Sequence, residues 1–252
     1  MSYVFLWFFS QQGEKSHVFS FGDIMSEAFV LILNWDRNLS EIVALSLRVT
    51  LSAVFLSCLI GLPLGALVGA FRFPGRGILT VLLNALMGLP PVVVGLFVYL
   101  MLSASGPLGP LQLLYTPLAM IIAQTILVTP IVAALTKQVV EDLHGEYAEQ
   151  FASMGLRAYD RIAALLWDAR YSLMTVALAG FGRAVAEVGA VLIVGGNINH
   201  VTRVMTTTIA LETSKGNLEL ALALGVLLLS IAVIVNAVVM ALRASAVRAA
   251  YA

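Results

Sequence analysis

From Gly77 to Thr136 the chain carries not one Asp, Glu, Lys, Arg or His. A soluble fold needs charged groups across its surface, so a segment like this belongs in hydrocarbon. Its interior is broken at Ser103–Thr116 (SASGPLGPLQLLYT) by Gly and Pro, which reads as two helices joined by a short uncharged loop. The rest of the chain agrees: 60% of its 252 residues are hydrophobic and 11% are charged. Soluble domains carry about a quarter charged residues. This excludes a soluble enzyme, a disordered chain and a binder of nucleic acid by basic charge. With 14 basic and 14 acidic residues the formal net charge is zero, which gives no pull toward polyanions. The chain is an all-α membrane protein, because a spanning segment must satisfy its backbone polar groups internally.

A spanning helix needs about 20 mostly apolar residues. Five stretches qualify, near Ile42–Ala70, Ile78–Ser103, Pro117–Thr136, Ser172–Val194 and Leu220–Leu242. In Phe21–Trp35, Phe21, Ile24, Ala28, Leu31 and Trp35 recur at helical period, with Asp23, Glu27 and Asn34 on another face. That pattern suits a helix lying in the membrane interface, with a sixth crossing as the alternative. The chain thus divides into an N-terminal extracytoplasmic or interfacial segment, 1–40, and a transmembrane domain, 41–252. With the N-terminus outside, Arg72, Arg76, Lys137, Arg157, Arg161, Arg170, Arg243 and Arg248 fall in cytoplasmic segments. Lys15, Arg37, Arg203 and Lys215 fall outside, and this bias places the C-terminus in the cytoplasm. Cys58 has no partner cysteine, and His17, His144 and His200 lack metal-ligand spacing. Val4–Phe9 is too short and lacks the flanks of a secretory signal.

The one long polar insertion in the hydrophobic body is Lys137–Tyr171. About 35 residues is long for a plain connection, and long ordered loops usually carry function. Two short helices joined at Gly155 fit its pattern. Glu146–Met154 forms the first, ended by Gly155 in a left-handed conformation. In Ala158–Arg170, Tyr159, Ile162, Leu166 and Ala169 make an apolar stripe opposite Arg157, Asp160, Arg161 and Asp168. The pattern is that of a docking element for a cytoplasmic partner.

Glu149-Gln-Phe-Ala-Ser-Met-Gly155 resembles the coupling motif of ABC-importer permeases, with Glu149, Ala152 and Gly155 carrying the match. Gln150 and Phe151 replace the usual alanines, and Leu165, Trp167 and Asp168 stand where the family tends to have Ile and Leu-Pro. Gly180–Ile198 (GFGRAVAEVGAVLIVGGNI) and Thr202–Asn217 (TRVMTTTIALETSKGN) resemble the last third of tungstate/molybdate-type permeases, particularly the tungstate branch. The resemblance runs from Glu41 onward. It implies a type I ABC-importer permease fold: two copies of this subunit, two cytoplasmic ATP-binding subunits and an extracytoplasmic substrate-binding protein, in the inner membrane of a prokaryote. ATP and Mg would then be bound by the partner ATPase. This chain has no G-x-x-x-x-G-K-[ST] sequence to cradle phosphates, so it is not itself an enzyme.

Within the membrane, Arg183 and Glu187 are four residues apart on one helix face and can neutralise each other. Two readings stand open: a buried ion pair that sets packing or the dimer seam, and a part of the path of an oxyanion. Thr125, Thr129 and Asn84 are further path candidates because they are polar within spans. Arg48 lies close enough to the outer interface to snorkel, or else forms a positive mouth. Gly61, Gly65 and Gly69 form a small-residue stripe for close helix packing. Pro90-Pro91 and Thr129-Pro130 should bend their helices. Gly195-Gly196-Asn197 permits a sharp turn, and Arg203–Ser214 forms a short outer helix lined by Thr206, Thr207 and Thr208. That segment either touches the binding protein or an outer gate, or is a re-entrant connector. The competing function is a secondary transporter or channel for an anion working without an ATPase, which assigns no role to Glu149 or Gly155. A membrane anchor would need neither the paired charge nor the kinked helices.

Overall fold

The computed structural model describes residues 21–33 and 37–251. Val4–Phe9, Lys15, His17 and the expected helix end at Asn34 and Trp35 lie outside them. In chain order the helices are α1 (Phe21–Leu33), α2 (Arg37–Ala70), α3 (Arg76–Met87), α4 (Pro91–Leu102), α5 (Pro117–Ser153), α6 (Ala158–Asp168), α7 (Arg170–Val185), α8 (Gly189–Gly195), α9 (Met205–Lys215) and α10 (Leu218–Tyr251). A single 3-10 turn at Gly109–Leu111 punctuates the uncharged loop between α4 and α5.

The body is built on α2 and α5, which lie against one another along most of their length. The glycine stripe is the reason. A Cβ on Gly61 would come within 2.9 Å of Val132 Cγ1, and one on Gly69 within 2.8 Å of the Lys137 carbonyl oxygen. A Cβ on Gly65 would collide with the Ala133 carbonyl oxygen. The expected close-packing role of these glycines is thereby assigned to one partner helix. Ser57 Oγ donates across the same seam to the Thr125 carbonyl at 3.3 Å. At the C-terminal end of α2, Arg76 donates to the Val68 carbonyl at 2.7 Å and pairs with Glu141 of α5 at 2.8 Å, while Lys137 also holds Glu141. Arg76 thus satisfies an end carbonyl of α2 and ties α2, α3 and α5 together.

Among the described residues, three helices, α2, α5 and α10, are long and apolar enough to cross a bilayer, and the number rises to five when the bent pairs α3–α4 and α6–α7 each count as one span. The second expected span, Ile78–Ser103, is not a straight helix. It breaks after Met87, and α3 and α4 meet at 99°. Pro90 and Pro91 do more than bend it: Pro91 begins α4 as a new helix, where its missing N–H costs no bond. Pro130, by contrast, sits inside α5 without ending it. The expected fourth span, Ser172–Val194, is divided into α7 and α8, interrupted at Ala186–Val188. α4 packs on α8, where Gly95 leaves room for the Ala190 backbone.

The third span does not stop at Thr136. α5 continues unbroken to Ser153, so residues 146–153 are its last part and the expected Glu146–Met154 is not a separate helix. The periodic apolar pattern ends at Thr136, but the backbone bonds continue through residues that favour helix. α1 packs against α10 with Ala28 buried, while Phe29, Val30 and Leu33 are exposed. Its 13 residues rise about 20 Å, short of the roughly 30 Å of hydrocarbon.

Candidate functional site

Two places carry chemistry foreign to an apolar bundle. The first is the hairpin of α5 and α6. Met154 donates its N–H to the Gln150 carbonyl at 3.0 Å, and Gly155 then turns the chain at φ 61°, the left-handed conformation expected of it. Nothing lies within 4 Å of where its Cβ would be, so Gly155 is open to contact. Arg161 Nε donates to the Leu156 carbonyl at 2.9 Å, closing the turn from the α6 side. Phe151 and Leu165 are buried with Ala66, Ala70 and Val140, so the hairpin seats on the C-terminal end of α2. Tyr147 donates to Asp168 Oδ2 at 2.9 Å and ties the hairpin's two arms.

The buried stripe of α6 differs from the expected one. Ile162, Leu165, Leu166 and Ala169 face inward, and Tyr159, assigned to that stripe, is 79% exposed. Glu149 is exposed, and Ala152 lies in the last turn of α5. With Met154 and Tyr159 also exposed, the tip offers apolar and acidic groups together, and Trp167 is exposed at the far end of α6. The Arg170 guanidinium stacks over the rings of Trp167 and Tyr171, 5.0 and 4.4 Å from their centroids.

The second place is the break between α7 and α8. Arg183 Nη1 lies 2.6 Å from Glu187 Oε2, and the Glu187 side chain is 2% exposed against 28% for Arg183. The other carboxylate oxygen, Oε1, accepts the N–H of Ala190 at 3.0 Å, so Glu187 caps the first turn of α8. Its backbone carbonyl accepts the Thr206 hydroxyl at 2.9 Å. Gln124 of α5 donates to the Ala184 carbonyl at 3.1 Å. Gln124, Glu187 and Thr206 border a cavity of about 20 Å³, room for one water. The Gln124 Oε1 beside it has no hydrogen-bond partner.

A family model described as "Binding-protein-dependent transport system inner membrane component" matches residues 61–248. The chain belongs to that family. The match takes in the hairpin and the α7–α8 break together. Among relatives of this permease, a probable anion ABC transporter permease protein of Haloferax volcanii is 43% identical over 210 residues, 80% of this chain and 90% of the relative. The tungstate uptake system permease protein TupB of Peptoclostridium acidaminophilum is 38% identical over 216 residues, 86% of this chain and 95% of the relative. The protein of that name from Campylobacter jejuni is 34% identical over 214 residues, 85% of this chain and 90% of the relative.

The permease brings only some of the expected site residues together. Arg183 and Glu187 meet as expected. The Thr125 and Thr129 hydroxyls bond back to the carbonyls of Ile121 and Thr125 on their own helix, each at 2.7 Å, so neither is free to meet an ion without breaking that bond. Asn84 is exposed on α3, with no described bond to the pair. Helix α9 begins at Met205, after the expected Arg203, and its threonines turn inward. Thr207 and Thr208 are buried, and Thr207 donates to Asn197 Oδ1 at 2.9 Å. They lock the α8–α9 connection and do not line a partner surface. Gln124 was missed entirely, because a lone amide in an apolar helix carries no spacing signal.

Proposed function

We propose that this permease forms the membrane path of an ATP-driven importer for a tetrahedral oxyanion, tungstate in the first instance, working as a homodimer with two ATP-binding subunits and an extracytoplasmic binding protein. The α5–α6 hairpin lies on the cytoplasmic side and receives the ATPase, with Glu149, Ala152 and Gly155 at the contact. The N-terminal end of α2 lies outside. ATP-driven closure of the ATPases displaces the hairpins, and the path opens alternately to the two sides. The observation that carries this reading is the hairpin: its buried side is anchored on α2, while its tip at Gly155 stays open and exposed. The anion-named and tungstate-named relatives cover nearly their whole length with this chain and support the cargo class. A transporter that works without an ATPase is less favoured, because the intramembrane acid Glu187 is already committed to Arg183 and to Ala190.

Gly155→Asp tests the proposal. Asp tolerates the left-handed conformation at a cost of about 1 kcal/mol, and the site is open, so the fold survives. In proteoliposomes holding permease, ATPase and loaded binding protein, the variant is expected to reach the membrane at the normal level. It should lose tungstate uptake and stimulation of ATP hydrolysis by the binding protein. Normal stimulated turnover would overturn the reading.

A further inference from the structure

At the N-terminal end of α2 a cavity of about 680 Å³ opens between α2, the start of α5 and the α8–α9 connection. Asn38, Glu41 and Arg48 line it from α2, Pro117 from α5, and His200 and Arg203 from the connection. Its charge is uneven. Glu41, the one carboxylate on its wall, is already held by His200 at 2.7 Å and by Arg37 at 3.4 Å. Arg48 is exposed, and among the described residues no ion pair or hydrogen bond engages its guanidinium. Arg203 Nε is buried and has no hydrogen-bond partner. Glu212, whose charge reaches Arg203, is bonded instead to Lys215 at 2.9 Å and Asn217 at 3.1 Å, and that lysine contact holds its carboxyl below the usual range.

The wall that carries Arg203 is rigid. The Ile198 carbonyl accepts N–H groups from Val201, Thr202 and Arg203, and Thr202 Oγ1 donates to the Gly195 carbonyl. Asn197 and His200 sit at φ 50° and 59°, conformations that persist only where surrounding bonds enforce them. A guanidinium nitrogen left without an acceptor behind the surface is unfavourable. Arg203 lines the same recess as Arg48, an exposed arginine that also has no anion among the described residues. Guanidinium forks match the oxygens of a small oxyanion, and this recess is large enough to take one with part of its water.

We propose that this cavity is a receiving site for a tetrahedral dianion, with Arg48 and Arg203 as its two cationic walls. The assignment rests on the outward orientation and oxyanion cargo proposed above. A dianion released by the binding protein is held there before it passes between the helices, and Glu41 is already engaged by Arg37 and His200.

Two measurements test the site. In the first, Asn38→Cys is placed in a Cys58→Ser background and labelled from the α2 N-terminal side with a membrane-impermeant maleimide, in vesicles holding the permease alone. Tungstate is expected to abolish labelling, and sulfate at low concentration to do so less. Protection should vanish in Arg48→Gln/Arg203→Gln and persist in Arg48→Lys/Arg203→Lys. Unprotected labelling in the parent overturns the site, as does loss of protection in the lysine pair. In the second, the complete transporter is assayed for tungstate delivered per ATP hydrolysed. Removal of a charged donor predicts a fall of about tenfold in the glutamine pair. An unchanged ratio overturns the site. An unchanged ratio with a higher half-saturating concentration of binding protein identifies an acidic protein face as the ligand of these arginines. If no nucleotide-dependent uptake occurs at all, the transport reading fails, and the labelling result still decides the site.

Discussion

Glu187 uses its two carboxylate oxygens for different purposes: one is paired with Arg183 and the other accepts the N–H of Ala190. The four-residue spacing made the pair legible in the sequence, because residues so spaced share a helix face. The cap was not legible. No Gly or Pro occupies 186–188, so nothing in the composition marks the end of α7; the charged side chain itself bridges the break. The geometry separates the two roles experimentally. Arg183→Ala leaves a nearly fully buried carboxylate without its counter-charge and should cost about 3 kcal/mol, read as a lower midpoint of thermal unfolding in detergent. Arg183→Ala with Glu187→Gln should recover most of that loss, since the amide oxygen still accepts from Ala190. Arg183→Ala with Glu187→Ala should recover less, because the α8 N–H then has no acceptor. Equal recovery in both would mean that the cap contributes nothing.

At the scale of helices, periodic small residues proved the most readable signal. Gly61, Gly65 and Gly69 lie one turn apart, and all three face α5. Gly65→Leu is expected to separate the two helices at a cost of about 3 kcal/mol or more. The measurement is the fraction of monodisperse protein after extraction, against Gly77→Ala as a control at a position with open space. Boundaries were harder to read. The end of α5 was misplaced because hydropathy reports the bilayer and not the hydrogen bonding, so a helix that leaves the membrane looks finished at its last apolar turn. The face of α6 was misjudged by one residue type: Tyr159 counts as apolar in a periodicity argument, but its ring stays outside while Leu165 is fully buried. The hairpin was recognisable from its charges and Gly155. Its anchoring through Phe151 was not, since a large ring where the family has alanine gives no hint of the pocket it fills.

For the whole molecule, an uncharged segment from Gly77 to Thr136 was enough to place the chain in a membrane. The exposed apolar residues Leu229, Val233, Ile234 and Val238 along α10 now show where lipid or a second copy would lie. The proposed orientation, with the C-terminus in the cytoplasm, rests on the distribution of Lys and Arg. A fluorescent-protein fusion after the last residue should therefore fluoresce, and an alkaline phosphatase fusion at the same place should stay inactive. The opposite pattern would reverse the assigned sides. The feature with the widest consequence is the unbroken run of α5. Its 37 residues extend about 55 Å, nearly twice the roughly 30 Å depth of hydrocarbon. A rod of that length pivoting by about 10° at mid-height carries each tip some 5 Å in opposite directions. A modest tilt at the Gly155 end is therefore enough to shift the rim at Pro117 by more than the diameter of a water molecule, to the extent that the helix stays stiff through Pro130.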